Sequence, residues 1–403
     1  MKDTSTRRRT LGRVAAGLLL FGLGLGVGLA LAPQVRPAAP QRGVDAALMQ
    51  EALGVLDREW FGQLPDNATL TNGAIRGMVA TLGDDFTAYV EPKYARMLSD
   101  DIGGSFEGIG ATLRSVNGAA IQIVRVFEGS PASRAGVRSG DSIERVDDVK
   151  VSALSATEVA ALIRGRSGTP VTLHLRREGE PRPILITVTR ATIVIPLVSA
   201  RLIGSGSDAI AYVSLFDFSA NARQQLETQL NEVLAKKPRG LILDLRDNPG
   251  GLLTQAIEVG DLFLDEGAFL IERDPSGNRR QSNTTARGLA QNIPLVVLVN
   301  GGTASAAEIV AGAVQDRGRG QVLGETTFGK GSVQRPETLT NGAQLRVTIE
   351  RWYTPNDRAV QGAGIVPDLI VARSAEDSRL GRDPQLDAAL AWLLTGQRPA
   401  PTP

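Results

Sequence analysis

Cysteine is absent from the 403 residues, and histidine occurs once. The first absence removes disulfides, thiolate nucleophiles and cysteine metal sites together, and leaves the redox compartment unwritten. The second denies the chain a histidine-rich metal site. It also leaves a serine–histidine catalytic pair with a single candidate, His174, which sits in "VTLHLRR", where alternating apolar and polar residues read as a strand. Charge of either sign is nearly balanced at a net +1. Five basic residues, Lys2, Arg7, Arg8, Arg9 and Arg13, crowd the first thirteen positions, so the remainder is slightly acidic and carries no nucleic-acid footprint. What is present is 42% hydrophobic and 22% charged residues, the balance of a globular chain of two or three domains that buries a core.

The basic cluster precedes "VAAGLLLFGLGLGVGLALA", Val14 to Ala32, which is long and apolar enough to cross a bilayer as a helix. Positive charge before it favours an exported C-terminus. "ALA" followed by Pro33 leaves two readings, an uncleaved anchor in the cell envelope or a cleaved signal and secretion, and the arginines admit a twin-arginine signal. Residues 1–43 are thus expected to be export signal or anchor plus a proline-rich linker. Residues 44–103 are expected to form a small helical segment, from "VDAALMQEALGVLDREW" and "TNGAIRGMVATLG". Residues 104–190 turn to short strands with one helical stretch, "SATEVAALIRG", and residues 191–373 alternate strand and helix, which predicts βαβ units and a mostly parallel sheet. Residues 374–403 supply a C-terminal helix and tail. The fold class is mixed α/β.

Three short segments carry candidate chemistry. In "NGGTASAAEI", Ser305 follows the apolar run "PLVVLV" and opens an alanine-rich helix. Near free N–H groups at a helix start it is a candidate nucleophile, and equally Ser305 or Thr303 is a helix cap. In "GETTFGKGSVQ", Lys330 lies between two glycines that let backbone close around its amine. Burial there lowers a lysine pKa and makes a base of it, whereas an exposed turn lysine is the plainer alternative. In "LDLRDNPGG", glycines after a strand leave N–H groups uncovered, as an oxyanion hole or simply as a tight turn.

Together, in order and spacing, these segments resemble the C-terminal processing, or tail-specific, serine proteases, and the resemblance spans nearly the whole exported chain. "LGDDFTAYVEP", "GSFEGIGATL" and "YTPNDRAVQGAGIVPDLIV" are also similar to the family's segments, with Asp357 standing where the family often has glycine. The resemblance implies a crotonase-like protease core over 191–373 and a PDZ domain over 104–190. It implies Ser305 as nucleophile, Lys330 as general base, Gln334 as the residue orienting that lysine, and backbone donors at Ala306 and at Gly250 or Gly251. It implies a PDZ groove built from Phe106, Gly108, Ile109 and Gly110 with the helix of Val159 and Leu162 as its other wall, those two residues facing either the groove or the module's own core, and Arg164 as a regulatory candidate, for which a solvated surface arginine is the alternative. No metal and no cofactor is called for. The implied partners are protein substrates with accessible C-terminal tails, the membrane through the N-terminal segment, and a homodimer through 44–60 and "DPQLDAALAWLL", for which intramolecular packing is the alternative. An exported PDZ scaffold with an inactive core, or an acyl-CoA enzyme on the crotonase scaffold, are the competing functions.

Overall fold

The structure, a computed structural model, describes residues 43–116 and 120–396, so the apolar segment 14–32 lies outside the described residues. Among the described residues no helix is long and apolar enough to cross a membrane. The chain divides into two units, residues 1–70 and 71–403. In the first, helix α1 (Ala46–Glu59) is capped by Asp45, whose carboxylate accepts from the Leu48 N–H at 3.0 Å, and its Leu48 and Leu56 stay exposed. Helix α2 (Asn67–Ala80) follows, then strand β1 (Ala88–Val90) and helix α3 (Pro92–Ile102), which starts on a proline already held at a helical φ.

The β-rich module comprises β2 (Ser105–Gly108), β3 (Ala111–Val116), β4 (Ala120–Val126), the single-turn α4 (Pro131–Arg134), β5 (Ser142–Val146) and β6 (Val149–Lys150). It continues with α5 (Ala156–Ile163), β7 (Pro170–Arg176), β8 (Ile184–Thr189) and β9 (Ala191–Val194). The strands run β3-β4-β5-β7-β8, all antiparallel, with β6 on β5 and β3 at an edge. Strand β2 pairs with β9, Ser105 opposite Val194, so the chain enters and leaves the module side by side, and the pairing carries its end past the expected Arg190. Alternate residues Ile121, Ile123, Val171, Leu173 and Leu175 point into one core, as the period of two requires. Helix α5 begins on a capping box in which Ser155 and Glu158 satisfy each other's backbone N–H groups.

After the module come β10 (Val198–Ile203), β11 (Ile210–Leu215), α6 (Ala222–Leu234), β12 (Gly240–Asp244), α7 (Leu253–Phe263), β13 (Gly267–Arg273) and β14 (Arg279–Thr284). These are followed by β15 (Leu295–Val299), α8 (Ala306–Asp316), β16 (Gln321–Gly324), β17 (Ser332–Thr338), β18 (Gln344–Tyr353), β19 (Leu369–Ile370), α9 (Ala375–Arg379) and α10 (Pro384–Thr395). One sheet runs β10-β11-β12-β15-β16-β19, parallel throughout except for β10. Its central strands are buried along their length and read as near-continuous apolar runs, with Ser214 and Asp244 the polar exceptions near the carboxyl ends, because both faces are covered. Ala211, Val213, Leu241, Leu243, Val297 and Val299 pack under α6, α7 and α8. Ile210, Tyr212, Ile242, Val296 and Leu298 face α10, which docks through Ala388, Ala389 and Leu393. The C-terminal helix therefore packs within its own chain. The sequence pattern did not foresee the second sheet, order β1-β18-β13-β14 with β17 on β18, in which β13 buries Phe269, Leu270 and Ile271 while β14, β17 and β18 are polar-rich and largely half-exposed or exposed.

Candidate active site

Strands β12 and β15 are parallel neighbours, so the loops that follow them emerge together at the carboxyl ends of the sheet, where open α/β sheets place their ligands. The loop after β12 carries Asn248-Pro-Gly-Gly. Asn248 is fully buried; its amide donates to the Leu215 carbonyl at 2.8 Å, and its Oδ1 accepts the Gly250 N–H at 2.9 Å. The loop after β15 carries Ser305 at φ 54°, ψ −118°, a left-handed backbone that a non-glycine residue adopts at a cost of about 1–3 kcal/mol. Gly250, at φ 96°, lies so close that an added Cβ would meet the Ser305 Cβ at 2.7 Å and the Ala306 nitrogen at 2.8 Å, so only glycine lets these turns touch.

The third loop, between β16 and β17, brings Lys330. It is bound to the serine turn through Glu308, a fully buried carboxylate on the first turn of α8. Glu308 Oε2 accepts the backbone N–H of Ser305 at 2.7 Å and of Lys330 at 2.9 Å. Its Oε1 accepts the Thr327 hydroxyl at 2.5 Å and the Gly329 N–H at 2.7 Å. One side chain thus fixes both candidate catalytic loops. The sequence reading did not single out Glu308, although "SAAE" is the S-x-x-E signature of a capping box. The Phe328 N–H donating to the Thr303 carbonyl and the Trp352 indole donating to the Lys330 carbonyl, both at 2.9 Å, complete the clamp.

Ser305, Ala306, Gly250, Gly251, Lys330 and Gln334 all line one cavity of about 470 Å³. Burial lowers the Lys330 pKa, the positive charge of Arg346 lowers it further, and Glu308 and Asp84 oppose the shift. The ammonium sits 5.2 Å from the centre of the Phe86 ring. Gln334 does not hold the lysine here; its amide donates to the hydroxyls of Ser332 at 2.8 Å and Thr348 at 3.3 Å. His174 lies on β7, opposite Leu185, and takes no part in the cavity. Asp357 adopts φ 63°, the left-handed turn in which glycine would stand.

A second cavity, of about 360 Å³, lies in the β-rich module. Phe106, Ile109 and Gly110 line it, while Gly108 is not among its lining residues and pairs with Ala191 inside the β2–β9 ribbon. Of the two fates open to Val159 and Leu162, both take the core. Val159 is fully buried in the module core and Leu162 packs against that core, while Ala156, Ala160 and Ile163 of the same helix line the cavity. The helix is turned so that Val159 fills the core, while Ala156 and Ala160 face the groove beside Ile163, which touches both. Arg164 closes the end, stacked 4.4 Å from the Phe106 ring and paired with Asp101 of α3 at 2.6 Å. Helix α3 is shared: Met97 and Asp101 line the second cavity, and Leu98, Ser99 and Ile102 line the first.

Residues 209–371 match the model of peptidase family S41, and residues 122–177 match that of a PDZ domain. The chain is 36% identical over 331 residues to the carboxy-terminal-processing protease of Bartonella bacilliformis, covering 81% of this chain and 75% of that one. It is 35% identical over 328 residues to the carboxy-terminal processing protease CtpA of Bacillus subtilis, covering 81% and 68%. Among solved structures, the photosystem II D1 C-terminal processing protease superposes with a TM-score of 0.51 at 29% identity, covering 87% of this chain and 92% of that one.

Proposed function

The chain belongs to peptidase family S41, a serine-type carboxy-terminal processing protease with a PDZ domain, and from that premise we propose that Ser305 and Lys330 are its catalytic dyad. The observation that carries this is the shared cavity: Ser305 on a strained turn, Lys330 desolvated beside it, and the only histidine in another sheet. The neutral Lys330 amine accepts the Ser305 proton as Oγ attacks a peptide carbonyl, and water later resolves the acyl-enzyme. The Ala306 N–H, at the first helical position, and the Gly251 N–H are the oxyanion donors, since Gly250 has given its own N–H to Asn248. Gln334, with its NH₂ held by Ser332 and Thr348, is left its Oε1 as the acceptor with which it would orient the lysine amine.

The mechanism fixes the pH dependence. A base must be neutral, so kcat/KM is low where Lys330 is protonated, rises through its lowered pKa, and levels off below the ordinary lysine value. Lys330→Arg, protonated at every accessible pH, is expected to be inactive throughout. A profile flat from acid to alkaline pH, or an active arginine variant, would remove the lysine base.

The PDZ groove is the reading for tail capture, with the edge strand β3 offering β-augmentation and the loop at Ile109 and Gly110 receiving a terminal carboxylate. A free-acid tail is expected to be cleaved about 10-fold more efficiently than its amide, the worth of a charge-assisted hydrogen bond. Arg164 couples capture to cleavage through Asp101 and α3, so Arg164→Ala should narrow that ratio. Equal cleavage of both tails by the unmodified enzyme would end the tail-capture reading; an unchanged ratio in Arg164→Ala would end the coupling alone. The core is assigned a crotonase-like fold. Export and a membrane anchor rest on residues 14–32, and a homodimer on the exposed apolar residues of α1.

A further inference from the structure

Arg346 lies on β18, opposite Ala88 of β1 and Pro336 of β17, and its side chain lines the cavity of Ser305 and Lys330. It is half-buried, and burial alone pulls its pKa below the ordinary arginine range, with no carboxylate or carbonyl acting against it. Other sequestered arginines are held differently. Arg177 is pinned to Asp141 at 2.7 Å, Arg246 to Asp244 at 2.6 Å and Asp383 at 2.8 Å, and Arg319 donates to the Phe263 carbonyl at 2.8 Å and the Ile293 carbonyl at 2.7 Å. Among the described residues Arg346 has no hydrogen-bond acceptor and no ion-pair partner, and Asp217, on the same cavity, accepts instead from Ser219. The Arg346 guanidinium is thus a planar fork of donors facing the cavity with no protein partner, and the acceptor it fits is a carboxylate.

We propose that Arg346 is a specificity residue that receives a carboxylate of the substrate chain beside the scissile bond. The proposal rests on the dyad reading, because it takes this cavity as the place where the substrate is cut. The carboxylate has two sources, an acidic side chain near the cut or the free terminus of a short tail, and both present the same two oxygens to the fork. Its charge also complements that of Arg346 on this side of the cavity.

The test is a panel of peptides from one parent, with Glu, Gln or Lys at each position within three residues of the mapped cut, each made as free acid and as amide. The unmodified enzyme is expected to favour Glu over Gln about 10-fold at one position, if a side chain is the source, or the free acid of the shortest tails if the terminus is. In Arg346→Gln that ratio falls to about one, and in Arg346→Glu the preference passes to Lys. Each ratio is taken within one variant, so a change in overall turnover or folded fraction cancels. Arg346→Lys, which keeps the charge but loses the fork, gives an intermediate ratio and supplies the readout if the neutral variant does not fold. The same charge preference in the unmodified enzyme and in these variants would overturn the proposal. Ser305→Ala tested on the Gln peptide separates the premises, since cleavage surviving there removes the dyad without touching the charge ratios.

Discussion

Ser305→Ala and Lys330→Ala will each lower peptidase turnover by roughly 10⁴-fold or more, and the double variant will lose little beyond either single one. The hydroxyl is a poor nucleophile until its proton has somewhere to go, and the amine does nothing without a hydroxyl to relieve, so the two act as a unit. Neither change should unfold the chain. Alanine keeps the Cβ that packs on Gly250, and the Lys330 loop is held by its backbone, whose N–H donates to Glu308 and whose carbonyl accepts from Trp352. His174→Ala, in the PDZ sheet, should retain most activity. Turnover with single and double variants, with thermal unfolding as the control, decides the matter. Near-normal turnover in a folded Lys330→Ala protein would dismiss the dyad. A fluorophosphonate adduct on intact protein, lost in Ser305→Ala, would place the nucleophile independently.

Glu308→Gln will be the most damaging change outside the dyad. Four donors converge on the carboxylate, from Ser305, Thr327, Gly329 and Lys330. An amide has one acceptor oxygen, so its NH₂ must face backbone N–H groups that have no other partner in a buried site. The expected costs are about 3 kcal/mol of stability and about 100-fold in turnover, as the two loops drift apart by a fraction of an ångström. A further signature separates electrostatics from misplacement. The Glu308 charge raises the Lys330 pKa, so its removal should move the rise of kcat/KM to lower pH. Denaturant unfolding and a pH–rate profile on one preparation measure all three, and wild-type values in both would show that the carboxylate does not organise the site.

The proposed dyad could be named as a candidate because scarcity left few bases, with one histidine in a strand-like stretch and no cysteine, and because three segments together carry a family resemblance that none carries alone. The parallel sheet was legible for a different reason, since strands covered on both faces read as near-continuous apolar runs, as Leu295–Val299 does and as Gly240–Asp244 does up to the aspartate that ends it. Side-chain direction was not. The spacing of Val159 and Leu162 fits a groove wall as well as a core, and only packing against Ile121, Leu173 and their neighbours chooses the core. Glu308 and Arg346 were missed because a charge in a sequence announces neither burial nor the lack of a partner; both are properties of residues brought in from elsewhere in the chain. The half-polar antiparallel sheet was missed because β14, β17 and β18 are polar-rich and largely half-exposed or exposed, and the short buried run of β13 does not by itself announce them.

The backbone of Ser305 pulls selection two ways. At φ 54° and ψ −118° a glycine would relax where serine is strained, so a search for stability alone would discard the hydroxyl at that position. Descendants of this chain released from the need to cut peptides would therefore be expected to lose their nucleophile early, with a gain rather than a loss in folding free energy. A lineage that keeps serine on this turn is held there by its chemistry against the grain of its own stability.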